Sequence, residues 1–296
     1  MFALSFVIHH SALSELDNFL ESLVVCNYSV FENLGKSLSD FLDEDGFPIA
    51  KFFNVEILEE SEFTAKELKV KIEQHFKHSI FETSISAINN QDWIELYKKE
   101  LTPIICGKFF FYNDNLQKPE DTSALIPIKL NSALAFGSGH HQTTKSCLLN
   151  MEYLNDINFC PKRILDMGCG TGILGICALK IWPDAKLLGI DIDKEAVDIT
   201  IVNYKSNNIK ANAIQASDIK HITSKFDLIF CNILKQPLIE LSKQFDEKLE
   251  NNGRIITSGY TKNQEAEIIK QYCSLDFELE NRIIIYDWLS IIFRKA

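Results

Sequence analysis

Arg163-Ile-Leu-Asp-Met-Gly-Cys-Gly-Thr-Gly-Ile-Leu-Gly175, followed by Gly189-Ile-Asp-Ile-Asp193, is the stretch whose reading decides the fold. Ile164, Leu165 and Met167 cluster apolar side chains on both faces of residues 163–167 with no alternating charged face, which predicts a short buried parallel strand. Gly168, Gly170 and Gly172 then occupy every second position. Glycines that dense cost backbone entropy, and they make sense where the chain must turn sharply and a ligand must approach. From Gly172 the pattern becomes helical, with Ile173, Ile176, Cys177 and Lys180 stepping by three and four. Strand, glycine turn and helix start describe a nucleotide-type site, with the helix dipole and free backbone N–H groups expected to face the ligand.

Downstream, Lys186 to Ile190 reads as a second strand ending at Asp191, whose carboxylate is placed to accept ribose hydroxyls. Asp193 is placed to cap a helix from Lys194 to about Asn207. Further strands are expected at Asn212–Ala216, leading into Ser217-Asp218, at Phe226–Phe230, ending in Cys231-Asn-Ile-Leu234, and at Gly253–Tyr260. Helices separate them up to Leu249 and over Gln264–Tyr272, and Phe277–Phe293 closes as an antiparallel pair. Such alternation predicts an α/β fold with a mostly parallel, doubly wound sheet.

Upstream, residues 1–89 read β-α-β-β-α-β, a small α+β ferredoxin-like domain. Ser11 is placed to cap the first helix, and Thr64-Ala-Lys-Glu67 fits a capping box opening the second. This fold hosts many functions, and with no catalytic cluster in it a binding role is expected. Residues 90–102, carrying Trp93, Leu96 and Tyr97 before Pro103, form the expected linker helix. The catalytic domain follows over 103–296, with two strands at Phe109–Tyr112 and Ala124–Leu130.

At 296 residues the chain is long enough for two domains. No stretch approaches the roughly 20 apolar residues that span a bilayer. The opening residues lack the basic region and cleavage site of a signal peptide, so a cytoplasmic location is expected. None of the eight cysteines makes a Cys-x-x-Cys pair, which indicates neither a disulfide framework nor a zinc site. Formal net charge is −11, and residues 1–90 carry 15 Asp and Glu against 6 Lys. Such a surface repels nucleic-acid phosphate and attracts a basic partner, although solubility alone also accounts for it.

Gly170-x-Gly172-x-x-Gly175 formally matches the dinucleotide fingerprint, a weak signal by itself. Asp166 argues against a dinucleotide, because it sets a carboxylate where pyrophosphate would press on the turn. No Gly-Lys-Ser/Thr occurs, which excludes a Walker loop. Ahead of the turn, Phe136-Gly-Ser-Gly-His-His-Gln-Thr-Thr144 is dense in polar groups. Its adjacent histidines point about 100° apart on a helix and suit capping better than shared metal ligation; no metal is expected.

Asp-x-Gly-x-Gly-x-Gly followed by Asp191 resembles the class I S-adenosylmethionine-dependent methyltransferases. With Phe136-Gly-x-Gly-x-His and Asn232-Ile-Leu-x-x-Pro237 added, the chain resembles the ribosomal protein L11 methyltransferase family (PrmA), well over residues 90–296 and in element order alone before them. Asn131-Ser-Ala133, Ser138 and Cys231 depart from the family's usual Asp-Pro-Gly, threonine and alanine. The resemblance implies S-adenosylmethionine as cofactor, contacted by Thr144, Gly168, Asp191 and Asn232. Phe136, Gly137 and Asp218, the last for the adenine amino group, are further cofactor-binding candidates, as are Asp166 and Gly170 of the turn. It also implies a basic ribosomal substrate, methylated at lysine side chains and its N-terminal amine. Methyl transfer to a neutral amine needs alignment more than acid–base machinery, so Asn232 is the one catalytic candidate, either aligning the amine or only fixing the following turn. Rival readings are a lysine methyltransferase of another protein and a non-catalytic S-adenosylmethionine-binding regulatory module.

Overall fold

The computed structural model describes residues 2–23, 28–33, 52–59, 61–87, 104–112, 125–130 and 142–296. The chain divides into two compact units, Met1–Glu100 and Leu101–Ala296. The linker helix expected at 90–102 lies outside the described residues, as do Phe136, Gly137 and the histidine pair.

The first unit comprises β1 (Phe2–His9), α1 (Leu13–Ser22), β2 (Tyr28–Asn33), β3 (Phe52–Glu59), α2 (Glu62–His75) and β4 (Ile80–Ala87). Its four strands pair antiparallel in the order β2-β3-β1-β4, the ferredoxin-like arrangement expected. Apolar residues alternate along β1 and β3, so Leu4, Phe6, Ile8, Phe53, Val55 and Ile57 are buried. Leu16 and Leu20 of α1 and Ala65, Leu68 and Ile72 of α2 are buried as well. Two caps differ from expectation. The α2 cap is Ser61, whose hydroxyl accepts the Thr64 N–H at 3.1 Å, because Ser61 is extended and Thr64 already sits in the first turn. Ser11 lies in a 3₁₀ turn, its hydroxyl 2.9 Å from His9 Nδ1, and is occupied locally.

The second unit opens with β5 (Ile104–Cys106), β6 (Phe109–Tyr112) and β7 (Ile126–Lys129), a small separate sheet. Then come α3 (Gln142–Asp156), β8 (Arg163–Met167), α4 (Ile173–Ile181), β9 (Lys186–Asp191), α5 (Lys194–Ser206) and β10 (Asn212–Gln215). The chain ends with β11 (Phe226–Asn232), α6 (Lys235–Lys248), β12 (Leu249–Thr261), α7 (Glu265–Cys273), β13 (Phe277–Ile285) and β14 (Trp288–Lys295). Seven of these strands form one sheet in the order β10-β9-β8-β11-β12-β14-β13. The first five run parallel and the last two antiparallel, the doubly wound sheet expected. Successive residues of β8 serve opposite faces: Ile164 joins a core with α3, α4 and Tyr204, while Leu165 joins one with α6 and α7. Burial on both sides explains the unbroken apolar runs. Strand order reverses between the parallel neighbours β8 and β11, with β9 and β10 laid down on one side and β12 on the other, so a crevice is expected outside their carboxyl ends. No helix among the described residues is long and apolar enough to cross a membrane.

Candidate functional site

β8 delivers the chain into that crevice, and Gly168, Gly170 and Gly172 take positive φ of 74°, 54° and 78°. Only glycine enters that region without strain. The turn folds back onto the tip of β9. Gly168 N–H and Cys169 N–H donate to Ile190 O at 2.7 and 2.9 Å, and Gly172 N–H donates to Cys169 O at 2.7 Å. Gly170 N–H donates to Asp191 Oδ2 at 2.8 Å. The free amide cradle expected for the turn is therefore absent at these four positions, because the neighbouring strand tip takes them up.

Beneath the turn, Asp166 is 2% exposed. Its Oδ2 accepts the Gly175 N–H at 3.0 Å, which ties the start of α4 to β8. Burial pushes its carboxyl up to about 7, against the lowering effect of that hydrogen bond and with a further rise from Asp191. Asp166, one of the cofactor candidates, faces the interior and supports the turn from below.

α5 grips the turn from the same side. Thr200 Oγ1 donates to Gly170 O at 2.7 Å, and Asn203 Nδ2 donates to Thr171 O at 2.9 Å. Both side chains are fully buried. Sequence reading missed them, and the signal available was a pair of polar residues on the helix face that turns inward. Asn207 lies on the same face and brackets Lys129 of β7, accepting its N–H at 2.9 Å and donating to its carbonyl at 2.6 Å.

Acceptors line the rim. Asp191 Oδ1 also takes the Asp193 N–H at 3.0 Å, leaving lone pairs on both oxygens. Asp193 caps α5 as expected, accepting Glu195 N–H at 2.9 Å. Asp218 lies beyond β10, where the backbone N–H of Lys220 and its ammonium hold the carboxyl below its ordinary value. Asn232 is half-exposed at the tip of β11, and its side chain makes no hydrogen bond among the described residues. Ile192 and Leu234, near Asp191 and Asn232, leave apolar side chains 72% and 58% exposed; sequence reading gave neither a role in the site.

Thr144 is buried in the first turn of α3. Its neighbour Thr143 presents a carbonyl 3.5 Å from the hydroxyl of Ser258, and Ser258 pairs with Asn232 across β11 and β12. The structure thus gathers Gly168, Gly170, Asp191, Asn232 and the start of α3 around one crevice. Asp218 stands one strand further out, and Asp166 lies below.

The family described as "Ribosomal protein L11 methyltransferase (PrmA)" matches residues 2–296. A "Ribosomal protein L11 methyltransferase" of Campylobacter fetus subsp. fetus is 36% identical over 214 residues, 72% of this chain and 74% of that protein. One of the same name from Wolinella succinogenes is 32% identical over 228 residues, 77% of each. Among solved structures, the ribosomal protein L11 methylase of Lactobacillus delbrueckii subsp. bulgaricus is similar with a TM-score of 0.60 at 27% identity. That similarity covers 66% of this chain and 100% of the other.

Proposed function

Since the chain belongs to the ribosomal protein L11 methyltransferase (PrmA) family, we propose that it transfers methyl groups from S-adenosylmethionine to lysine side-chain and N-terminal amines of ribosomal protein L11. Dependence on S-adenosylmethionine comes with the family, and the crevice suits that cofactor. With the Gly168, Cys169, Gly170 and Gly172 amides taken up internally, the turn is a poor cradle for pyrophosphate. The rim is rich in acceptors at Asp191, Asp218 and Asn232, which match ribose hydroxyls and an exocyclic amino group, all donors. That contrast between closed amides and open acceptors is the observation that carries the reading.

When bound, the cofactor supplies an electrophilic methyl group on a sulfonium. Asp191 would accept from the ribose hydroxyls while keeping its bond to Gly170. Ile192 would offer an apolar surface to the adenine ring, and Asp218 would accept from its amino group. Gly168 would let the backbone approach closely, and Thr144 would belong to the same site, with Phe136 and Gly137 as the further candidates that the resemblance names. Asn232 would orient the incoming nitrogen through its amide oxygen or backbone carbonyl. Alignment of this kind replaces an encounter in solution and accelerates such a displacement. Attack needs a neutral amine, so its proton leaves beforehand to solvent.

The first unit docks the substrate on this reading, with residues 90–102 as the linker between recognition and catalysis. Two observations support it. Residues 1–90 are strongly acidic, which suits a basic ribosomal protein. On the sheet, His9, Phe52 and Phe81 meet edge to face, with centroids 5.4 and 5.7 Å apart, and Phe52 and Phe81 are 37% and 47% exposed. Exposed aromatic clusters of this kind serve as binding anchors.

Site-resolved mass spectrometry of L11 incubated with the protein and S-adenosylmethionine tests the assignment. Increments of one methylene at lysine and N-terminal amines are expected. Intact cofactor binding with an unmodified L11 would sink it and turn attention to other protein substrates.

A further inference from the structure

Among the described residues the side chain of Asn232 has no hydrogen-bond partner, yet the residue after it is clamped from two sides. β12 pairs with β11 up to Asn232 and Ser258, and Ile233 N–H donates to Ser258 O at 3.2 Å. Register with β14 then shifts between Thr257 and Tyr260, and Gly259 takes a φ of 94°. A Cβ at Gly259 would lie 2.2, 2.6 and 2.9 Å from the O, C and N of Ile233. The backbone of Ile233 therefore rests directly on the Gly259 backbone. On the opposite side, a Cβ at Gly168 would lie 2.3 Å from Ile233 Cγ2, so that methyl rests on the first glycine of the turn. The side chain is partly buried against the core under β8 and β11.

Resting on the reading above, we propose that Ile233 is a positioning residue whose β-branched methyl, seated on Gly168, and backbone, seated on Gly259, set the spacing between the glycine turn and Asn232. Its Cγ2 is attached at Cβ, and a β-branched residue has one strongly preferred χ1. Neither the backbone nor the methyl can move without displacing a neighbour. Asn232, one bond upstream, inherits its position over the turn from this clamp.

The specific requirement is a methyl on Cβ, and full-length Ile233→Val and Ile233→Leu separate that from general packing. Valine keeps Cγ2 and loses only the distal carbon. Leucine keeps volume and hydrophobicity but has no Cγ2, and swaps of this sort usually leave a protein folded. Calorimetric binding of S-adenosylmethionine is measured alongside kcat and KM for L11 at saturating cofactor. Ile233→Val is expected to stay within about twofold of the parent in every constant, a change of roughly 0.4 kcal/mol. Ile233→Leu is expected to weaken cofactor binding and lower kcat by about tenfold each, equivalent to 1.4 kcal/mol, with KM for L11 unchanged. Val and Leu behaving alike in both cofactor affinity and kcat overturns the clamp. If the parent binds cofactor without methylating L11, the substrate assignment falls while the Val–Leu contrast in affinity still decides the clamp.

Discussion

A carboxyl group sealed from water with one amide to bind holds its proton up to near neutrality, and Asp166 is in that position. Its native pKa of about 7 stands above the ordinary 3.8, so the native state keeps a proton that the unfolded chain releases. Stability from this group is present in full below about pH 4 and is lost as pH rises through 7. Asp166→Asn keeps an acceptor for Gly175 and removes the titration. Its melting temperature relative to the parent is therefore expected to improve between pH 5 and pH 8, by on the order of a few kcal/mol in stability. Parallel melting curves across that range would refute the assignment. Asp191 sits one strand away with both oxygens on backbone donors at the rim. The two acids thus differ in setting, Asp166 buried beneath the turn and Asp191 at the rim of the crevice.

α5 acts as the clasp of the glycine turn. Thr200 and Asn203 satisfy the carbonyls of Gly170 and Thr171. Thr200→Val preserves shape and removes the donor, so a buried carbonyl loses its partner at a cost of about 1–3 kcal/mol. Weaker cofactor binding is expected together with a lowered melting temperature, and Thr200→Ser should restore both. Calorimetry and thermal melts check this, and a valine variant indistinguishable from the parent would show that the clasp is unimportant.

Across the whole molecule, charge is distributed unevenly. Most of the net −11 belongs to residues 1–90, while the described residues around the crevice lie from 142 onward. If the acidic unit recruits a basic substrate, kcat/KM for L11 falls as ionic strength rises from about 0.05 M to about 0.5 M, because screening shortens the reach of the field. The dissociation constant of S-adenosylmethionine should change little over the same range. Measuring both separates recruitment from cofactor binding, and a flat kcat/KM would remove the electrostatic part of docking.

Most of the architecture was legible in residue order alone. Alternating buried strands and helices, glycines at every second position and an acid at the next strand tip are local patterns, and each limits the backbone or the burial of its own segment. From them follow the sheet, the turn, the role of Asp193 as a cap and the order of elements in the first unit. What the tertiary structure decided concerns contacts between segments distant in the chain. The turn amides close onto Ile190 and Asp191, Asp166 points inward, Thr200 and Asn203 reach the turn, and Ile233 is held between Gly168 and Gly259. Even the Ser61 cap followed from where α2 actually starts. Sequence specifies which conformations each residue tolerates, whereas a clamp or a buried proton exists only once packing brings separate strands within van der Waals reach.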